Sequence, residues 1–251
     1  MTSRPGYPHN QHNAETRSVR WEGAVNARDL GGVGGLIQPG RIYRMGRHEW
    51  ITGAGWLQAH DDGVRSVVDL RNPGEFGRRD SDPAVAGDAL DRFAIVNCPT
   101  EDQSDAEFME LVGPYLNSPQ HYLENLRRWP GKIAAVVRAV INAPDGGVVV
   151  HCSAGRDRTG LVMAVMLSAA GVSADEIVTD YVLGVRGINE YHSTQETPKE
   201  APLAEDELLE RLDRSVAHLR ELLDDFDAGQ YLLVAGLTPA ELAALRVRLT
   251  G

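Results

Sequence analysis

Two apolar runs of opposite character, joined by a polar decapeptide, constrain this chain more than any other feature. Gly146-Gly147-Val148-Val149-Val150 reads as a short strand buried on both faces, and Leu161-Val162-Met163-Ala164-Val165-Met166-Leu167 reads as a buried helix. Between them stands His151-Cys152-Ser153-Ala154-Gly155-Arg156-Asp157-Arg158-Thr159-Gly160. A cysteine therefore sits where a strand ends, and a helix N-terminus opens beneath it. The N–H groups of a tight loop and of a first helical turn have no intrahelical partners and favour negative charge. The same field lowers a thiol pKa, so the frame predicts an anion site with a thiolate at its floor.

Displacement at phosphorus fits that arrangement. Unaided hydrolysis of a phosphate monoester is extremely slow. It needs an ionised nucleophile, donors matched to the equatorial oxygens and a proton for the leaving oxygen. Cys152 supplies the first. Arg158 supplies a planar fork able to grip two oxygens at once, which lysine lacks. The amides of Ser153, Ala154, Gly155, Arg156, Asp157 and Arg158 complete a cradle. The Thr159 hydroxyl is expected to hydrogen-bond the thiolate and assist its departure. His151 is expected to orient and polarise the loop rather than act as a base. Gly155 suits a backbone position that approaches the phosphate closely or takes a positive φ. An inert buried thiol is the commonest fate of a free cysteine, but these residue types at these offsets favour the functional reading.

Composition narrows the alternatives. A formal net charge of −11 disfavours general nucleic-acid binding, which wants a basic face, but does not oppose local phosphate binding. Arg41, Arg44, Arg47, Arg65, Arg71, Arg78 and Arg79 cluster early, and Arg44 and Arg71 are candidates to line a phosphate mouth. The plainer reading of each is a solvated surface arginine. The longest apolar stretch, 161–172, is too short for a bilayer and reads as a core helix. Residues 1–20 are polar, without the hydrophobic centre of a signal peptide. Two cysteines, one of them the proposed nucleophile, argue for a reducing compartment, so the cytoplasm is the expected location and export without a recognisable signal the exception. Cys98 reads as a structural thiol rather than a disulfide partner for Cys152.

Along the chain, residues 1–18 read as a disordered tail and 19–251 as one domain. Strands are predicted at 21–25 and 36–43 around a glycine-rich turn at 31–35, and again at 65–70, 92–96 and 148–150. Thr52 is expected to cap a helix that Gly63 stops. Residues 105–129 read as helical, broken by Pro114 and Pro119, and serve either as core packing or as a mobile lid. Further helices are predicted at 132–142, from Ser173 to about 185, at 203–226 and at 239–249, with a loop over 192–201. Strands alternating with helices give an α/β class: a single domain with a central, mostly parallel sheet of four or five strands flanked by helices.

His151 to Thr159 matches the HCxxGxxRT pattern of the cysteine-dependent protein tyrosine phosphatases. Asn26-Ala27-Arg28-Asp29-Leu30-Gly31-Gly32 resembles the NxRDLGG segment of the bacterial atypical tyrosine phosphatases, and Ala154 to Gly160 resembles their AGKDRTG loop. Segments 40–44, 67–71 and 171–181 are also similar, so the resemblance runs from about Trp21 to at least Tyr181. It implies a cysteine-phosphatase fold and hydrolysis through a cysteinyl-phosphate, with no metal or other cofactor. The implied substrates are phosphotyrosine proteins, phosphoserine or phosphothreonine proteins, or phosphoinositides, with no nucleic-acid partner and no stable membrane insertion. Two positions depart from the pattern: Arg156 stands where lysine is usual, and Ala27 where an aromatic is common.

The general acid is left open. The Trp-Pro-Asp tripeptide of eukaryotic enzymes is missing, since Trp129-Pro130 is followed by Gly131. The resemblance implies Asp157. Asp69, at a strand end, and Asp102, in the next loop, compete with it. A carboxylate beside Arg158 has its pKa lowered, which suits a structural partner better than an acid. A catalytically weak phosphate-binding module is the alternative to an enzyme. Sulfur transfer and arsenate reduction do not call for the His before Cys152 and the Arg-Thr after it.

Overall fold

The computed structural model describes residues 17–251, so the predicted tail lies, except for Arg17 and Ser18, outside the described residues. Those two are not loose: Ser18 bridges Arg28, and the Asp29 N–H donates to the Arg17 carbonyl. Five strands, β1 (Arg28–Asp29), β2 (Ile42–Met45), β3 (Val64–Asp69), β4 (Ala94–Asn97) and β5 (Gly147–His151), form one sheet in the order β1-β2-β5-β3-β4. Among the described strands only the β1–β2 pair is antiparallel.

The helices are α1 (Gly53–Asp61), α2 (Gly87–Leu90), α3 (Ala106–Val112), α4 (Tyr122–Arg128), α5 (Pro130–Ile141), α6 (Asp157–Ala169), α7 (Ala174–Ser193), α8 (Glu205–Asp224), α9 (Ala228–Val234) and α10 (Pro239–Thr250). Strand β5 is central and fully buried, which is why its sequence is apolar throughout instead of alternating. Ile42, Val68, Val148 and Val150 face a core completed by Val136 and Val137 of α5, the apolar residues of α6, and α8 to α10. Tyr43, Met45, Val67 and Val149 face a smaller core with Trp56 of α1 and Phe93. Parallel register brings His151 level with Met45 on one side and Asp69 on the other. The loops after β2, β3, β4 and β5 therefore open at one sheet edge, the usual place for a site in an open α/β sheet.

The cap expected at Thr52 forms, and two further helix starts are capped in the same way. Thr52 accepts from the Gly55 N–H, Ser173 from Glu176 and Thr238 from Glu241, each cap worth about 1 kcal/mol. Other expectations are corrected. Residues 21–25 form a turn, not a strand: Gly23 takes a φ of 81°, and the Trp21 ring turns into the smaller core, its indole N–H donating to Asp62 at 2.7 Å. Only the end of 36–43 becomes a strand. Helix α7 runs to Ser193, well past 185, because Tyr181, Val185, Ile188 and His192 keep one stripe buried. The segment at 203–226 ends at Asp224, and Asp227 caps a separate helix α9.

Candidate active site

The loop from Cys152 to Arg158 closes over the edge at the end of β5, with α6 beginning at Asp157. Its backbone direction is set from behind. The Ser153 carbonyl accepts from the Arg47 N–H at 3.0 Å, Ala154 from Asn26 Nδ2 at 3.0 Å, and Gly155 from Arg44 Nη2 at 2.6 Å. Arg156 accepts from the same Arg44 nitrogen and from the Gly160 N–H, and Asp157 accepts from the Tyr122 hydroxyl at 2.8 Å. With successive carbonyls tied to outside donors, the amides are left to face the opposite side, where an anion would sit. Gly155 has a φ of 67°, and a Cβ there would lie 2.3 Å from the Met45 carbonyl oxygen, so position 155 admits glycine alone.

Arg44 and Arg71, the candidates for the phosphate mouth, neither line the pocket nor lie at the surface. Arg44 is fully buried beneath the loop, its other nitrogen paired with Asp180, which also takes Arg28 at 3.5 Å. Burial pushes the Asp180 carboxyl up, but Arg44, Arg28 and Arg17 outweigh it and hold the group below the usual carboxylate range. Burial also drives Arg28 down to about 9. Arg71 is 1% exposed and grips both oxygens of Asp69 and both of Glu49.

Asp69 therefore has both oxygens engaged by Arg71. Burial raises its pKa, but hydrogen bonds and charge from Arg71 win and leave it lowered. Its Oδ2 lies 3.6 Å from His151 Nε2 and 3.8 Å from His48 Nδ1, and the two imidazole nitrogens are 3.1 Å apart. Among the described residues these three form the one cluster with ligand atoms at metal spacing. Arg71 already occupies the carboxylate and the imidazoles bond each other, so the cluster is a hydrogen-bonded group. Nothing in the sequence spacing announced it.

On the open side a pocket of about 160 Å³ is lined by Cys152, Ser153, Ala154, Arg156, Asp157 and Arg158, with Trp50, Glu101, Ile188 and His192 in its walls. Cys152 is 3% exposed. The Arg158 fork is engaged by Glu75, Nη2 to Oε1 at 2.7 Å, and its Nε lies 3.9 Å from Glu101. Burial raises the Glu75 pKa, yet the Arg158 bonds and charge bring it below the ordinary value. Arg156 is held in the same manner by Glu200, at 3.0 and 3.2 Å, while its Nε donates to Asp157 Oδ2 at 2.6 Å. The Tyr181 hydroxyl reaches Asp157 Oδ1 at 3.3 Å.

Of the three aspartates, Asp157 alone lines the pocket. Asp102 is bound by its neighbour Ser104, and Asp69 lies behind the loop. The Thr159 hydroxyl is buried without a hydrogen-bond partner, so the expected bond to the sulfur is not formed. Cys98 and Cys152 are both free thiols. Among the described side chains of 105–129, only Leu116 and Asn117 reach the pocket, and Phe108, Tyr122 and Leu126 are core. Sequence reasoning missed Asn26, His48, Glu75 and Glu200. Asn26 carried a signal, standing first in the NxRDLGG segment. Glu75 sits three residues past Asn72 in a capping arrangement. Glu200 lies in an irregular loop with no local signature.

The model of the tyrosine phosphatase family matches residues 19–251. A protein of Cupriavidus necator bearing a tyrosine-protein phosphatase name is 31% identical over 169 residues, 62% of this chain and 59% of that protein. The triple specificity protein phosphatase PtpB of Mycobacterium tuberculosis is 31% identical over 183 residues, 64% of this chain and 66% of its own length. A tyrosine-protein phosphatase of Nostoc commune is 27% identical over 190 residues, 75% and 59% of the two chains. The chain thus spans about three fifths to two thirds of the length of the curated relatives it matches. Among the described residues no helix is long and apolar enough to cross a membrane.

Proposed function

Because the chain belongs to the tyrosine phosphatase family, we propose that it is a protein tyrosine phosphatase that hydrolyses phosphate monoesters through a cysteinyl-phosphate. The observation that carries the reading is the convergence of Cys152, Arg158, Asp157 and the α6 N-terminus on one pocket. The Cys152 thiolate attacks phosphorus in line, forming an S–P bond as the P–O bond to the leaving group breaks. Arg158 and the loop amides hold the equatorial oxygens. Asp157 gives its proton to the leaving oxygen. Its carboxylate then takes a proton from the water that cleaves the S–P bond and frees the thiolate. Trp50 offers an aromatic wall suited to a phosphotyrosyl ring. Phosphoserine, phosphothreonine and phosphoinositide substrates are a broader range within the same chemistry, consistent with the triple specificity in the name of the mycobacterial relative.

Cys152→Ser tests this: turnover of p-nitrophenyl phosphate should vanish while inorganic phosphate still binds. An undiminished rate would end the mechanism. One observation favours a weaker catalyst. Arg156 donates to Asp157 Oδ2 and Tyr181 to Oδ1, so both carboxyl oxygens already have a partner. Asp157→Asn separates the readings. An acid in use should make the variant fail chiefly on alkyl phosphates, whose leaving groups need the proton, and a loss equal on aryl and alkyl esters would remove Asp157 from that role.

A further inference from the structure

His151 Nδ1 lies 3.1 Å from the carbonyl oxygen of Cys152, and its Nε2 lies 3.1 Å from His48 Nδ1. A carbonyl oxygen only accepts, so Nδ1 of His151 carries a proton. His151 has no exposed surface, and burial drives its pKa down to about 4, so the ring is neutral near neutral pH and its Nε2 is bare. The donor in the imidazole pair must then be His48 Nδ1–H. The rings meet edge to face, with centroids 5.0 Å apart.

We propose that His48 is a positioning residue: by donating to His151 Nε2 it fixes the tautomer that holds the Cys152 carbonyl, and so sets the reactivity of the catalytic sulfur. The proposal rests on the phosphatase reading for its purpose, not for its geometry. The other charged groups facing His48 are Asp69 and Arg71 from the end of β3, and its neighbours Arg47 and Glu49, with the Trp56 ring of α1 packed against it. Burial leads these influences and lowers the His48 pKa, which keeps it a neutral donor. Without that donor, His151 Nε2 would face the Asp69 carboxylate lone pair to lone pair at 3.6 Å. Moving the ring proton to Nε2 would relieve that clash and release the Cys152 carbonyl.

Two readouts test this, one without turnover. Imidazole 15N shifts report the tautomer of His151 directly. Iodoacetamide inactivation against pH, with alkylation at Cys152 located by mass spectrometry, reports the thiolate. His48→Ala should move His151 away from the Nδ1–H form and slow inactivation at neutral pH by about tenfold, the equivalent of one pH unit. His48→Asn, whose amide N–H sits near the position of the lost ring nitrogen, should restore most of the wild-type profile. Superimposable shifts and profiles for wild type and His48→Ala would overturn the proposal, as would His48→Asn behaving like alanine. If the wild type fails to hydrolyse any aryl phosphate, the phosphatase reading falls while the tautomer and alkylation results still decide the role of His48.

Discussion

The two sides of the Cys152–Arg158 loop are built on different principles. Behind it, Arg44, Asn26, the Arg47 amide, Tyr122 and His151 reach the backbone carbonyls from separate elements, and most of these groups are buried. In front, the two loop arginines each rest on a glutamate from a flanking loop, Glu75 for Arg158 and Glu200 for Arg156, beside an open pocket. The difference teaches where rigidity and exchange are stored. Buried bonds to carbonyls have no water to replace them, so the rear fixes the amides before any ligand arrives. Partly exposed ion pairs are weaker and can be shared with a phosphate.

If that contrast is right, breaking the rear should cost stability and breaking the front should cost catalysis. Arg44→Met leaves Asp180 buried with weaker partners and should destabilise folding by about 3 kcal/mol in urea unfolding. A loss below about 1 kcal/mol would show that the rear network is dispensable. Acid should attack the same side. His151 has a folded pKa of about 4, below its ordinary value of 6.5, so the unfolded chain takes up the extra proton first. Stability should therefore be complete above pH 6.5 and fall as the pH drops toward 4, and His151→Gln should flatten that slope in urea midpoints measured across the window.

The front should respond in kinetics. Glu75→Gln frees the Arg158 fork from its anchor and should lower kcat/KM about tenfold, roughly 1.4 kcal/mol, with an unchanged urea midpoint. A large stability loss would instead make Glu75 part of the scaffold. Glu200→Gln is the mildest case. It removes a carboxylate from the pocket wall while Arg156 keeps its bond to Asp157, and it should tighten competitive inhibition by phosphate about threefold.

The local sequence determined the elements that carry the chemistry. An apolar run of β-branched residues ending in His-Cys, followed by a loop and a second apolar run, can be buried in few ways, and the strand, loop and helix follow from that. The same locality explains the Thr52, Ser173 and Thr238 caps, whose partners stand three residues away. Strand edges were less legible. Trp21 and its neighbours had strand composition, but a left-handed Gly23 and a bond to Asp62, 41 positions away, made a turn.

What only the tertiary structure decided was which charges meet. Arg44 and Arg71 had the composition of surface arginines and became the buried supports of the loop and of Asp69, because parallel pairing set β2 and β3 on either side of β5. His48 came to His151 across 103 positions and Glu200 to Arg156 across 44, distances over which no sequence periodicity survives. Nearest-neighbour chemistry is written in order along a chain. The pairing of buried charges depends on register and packing, which the whole fold settles at once.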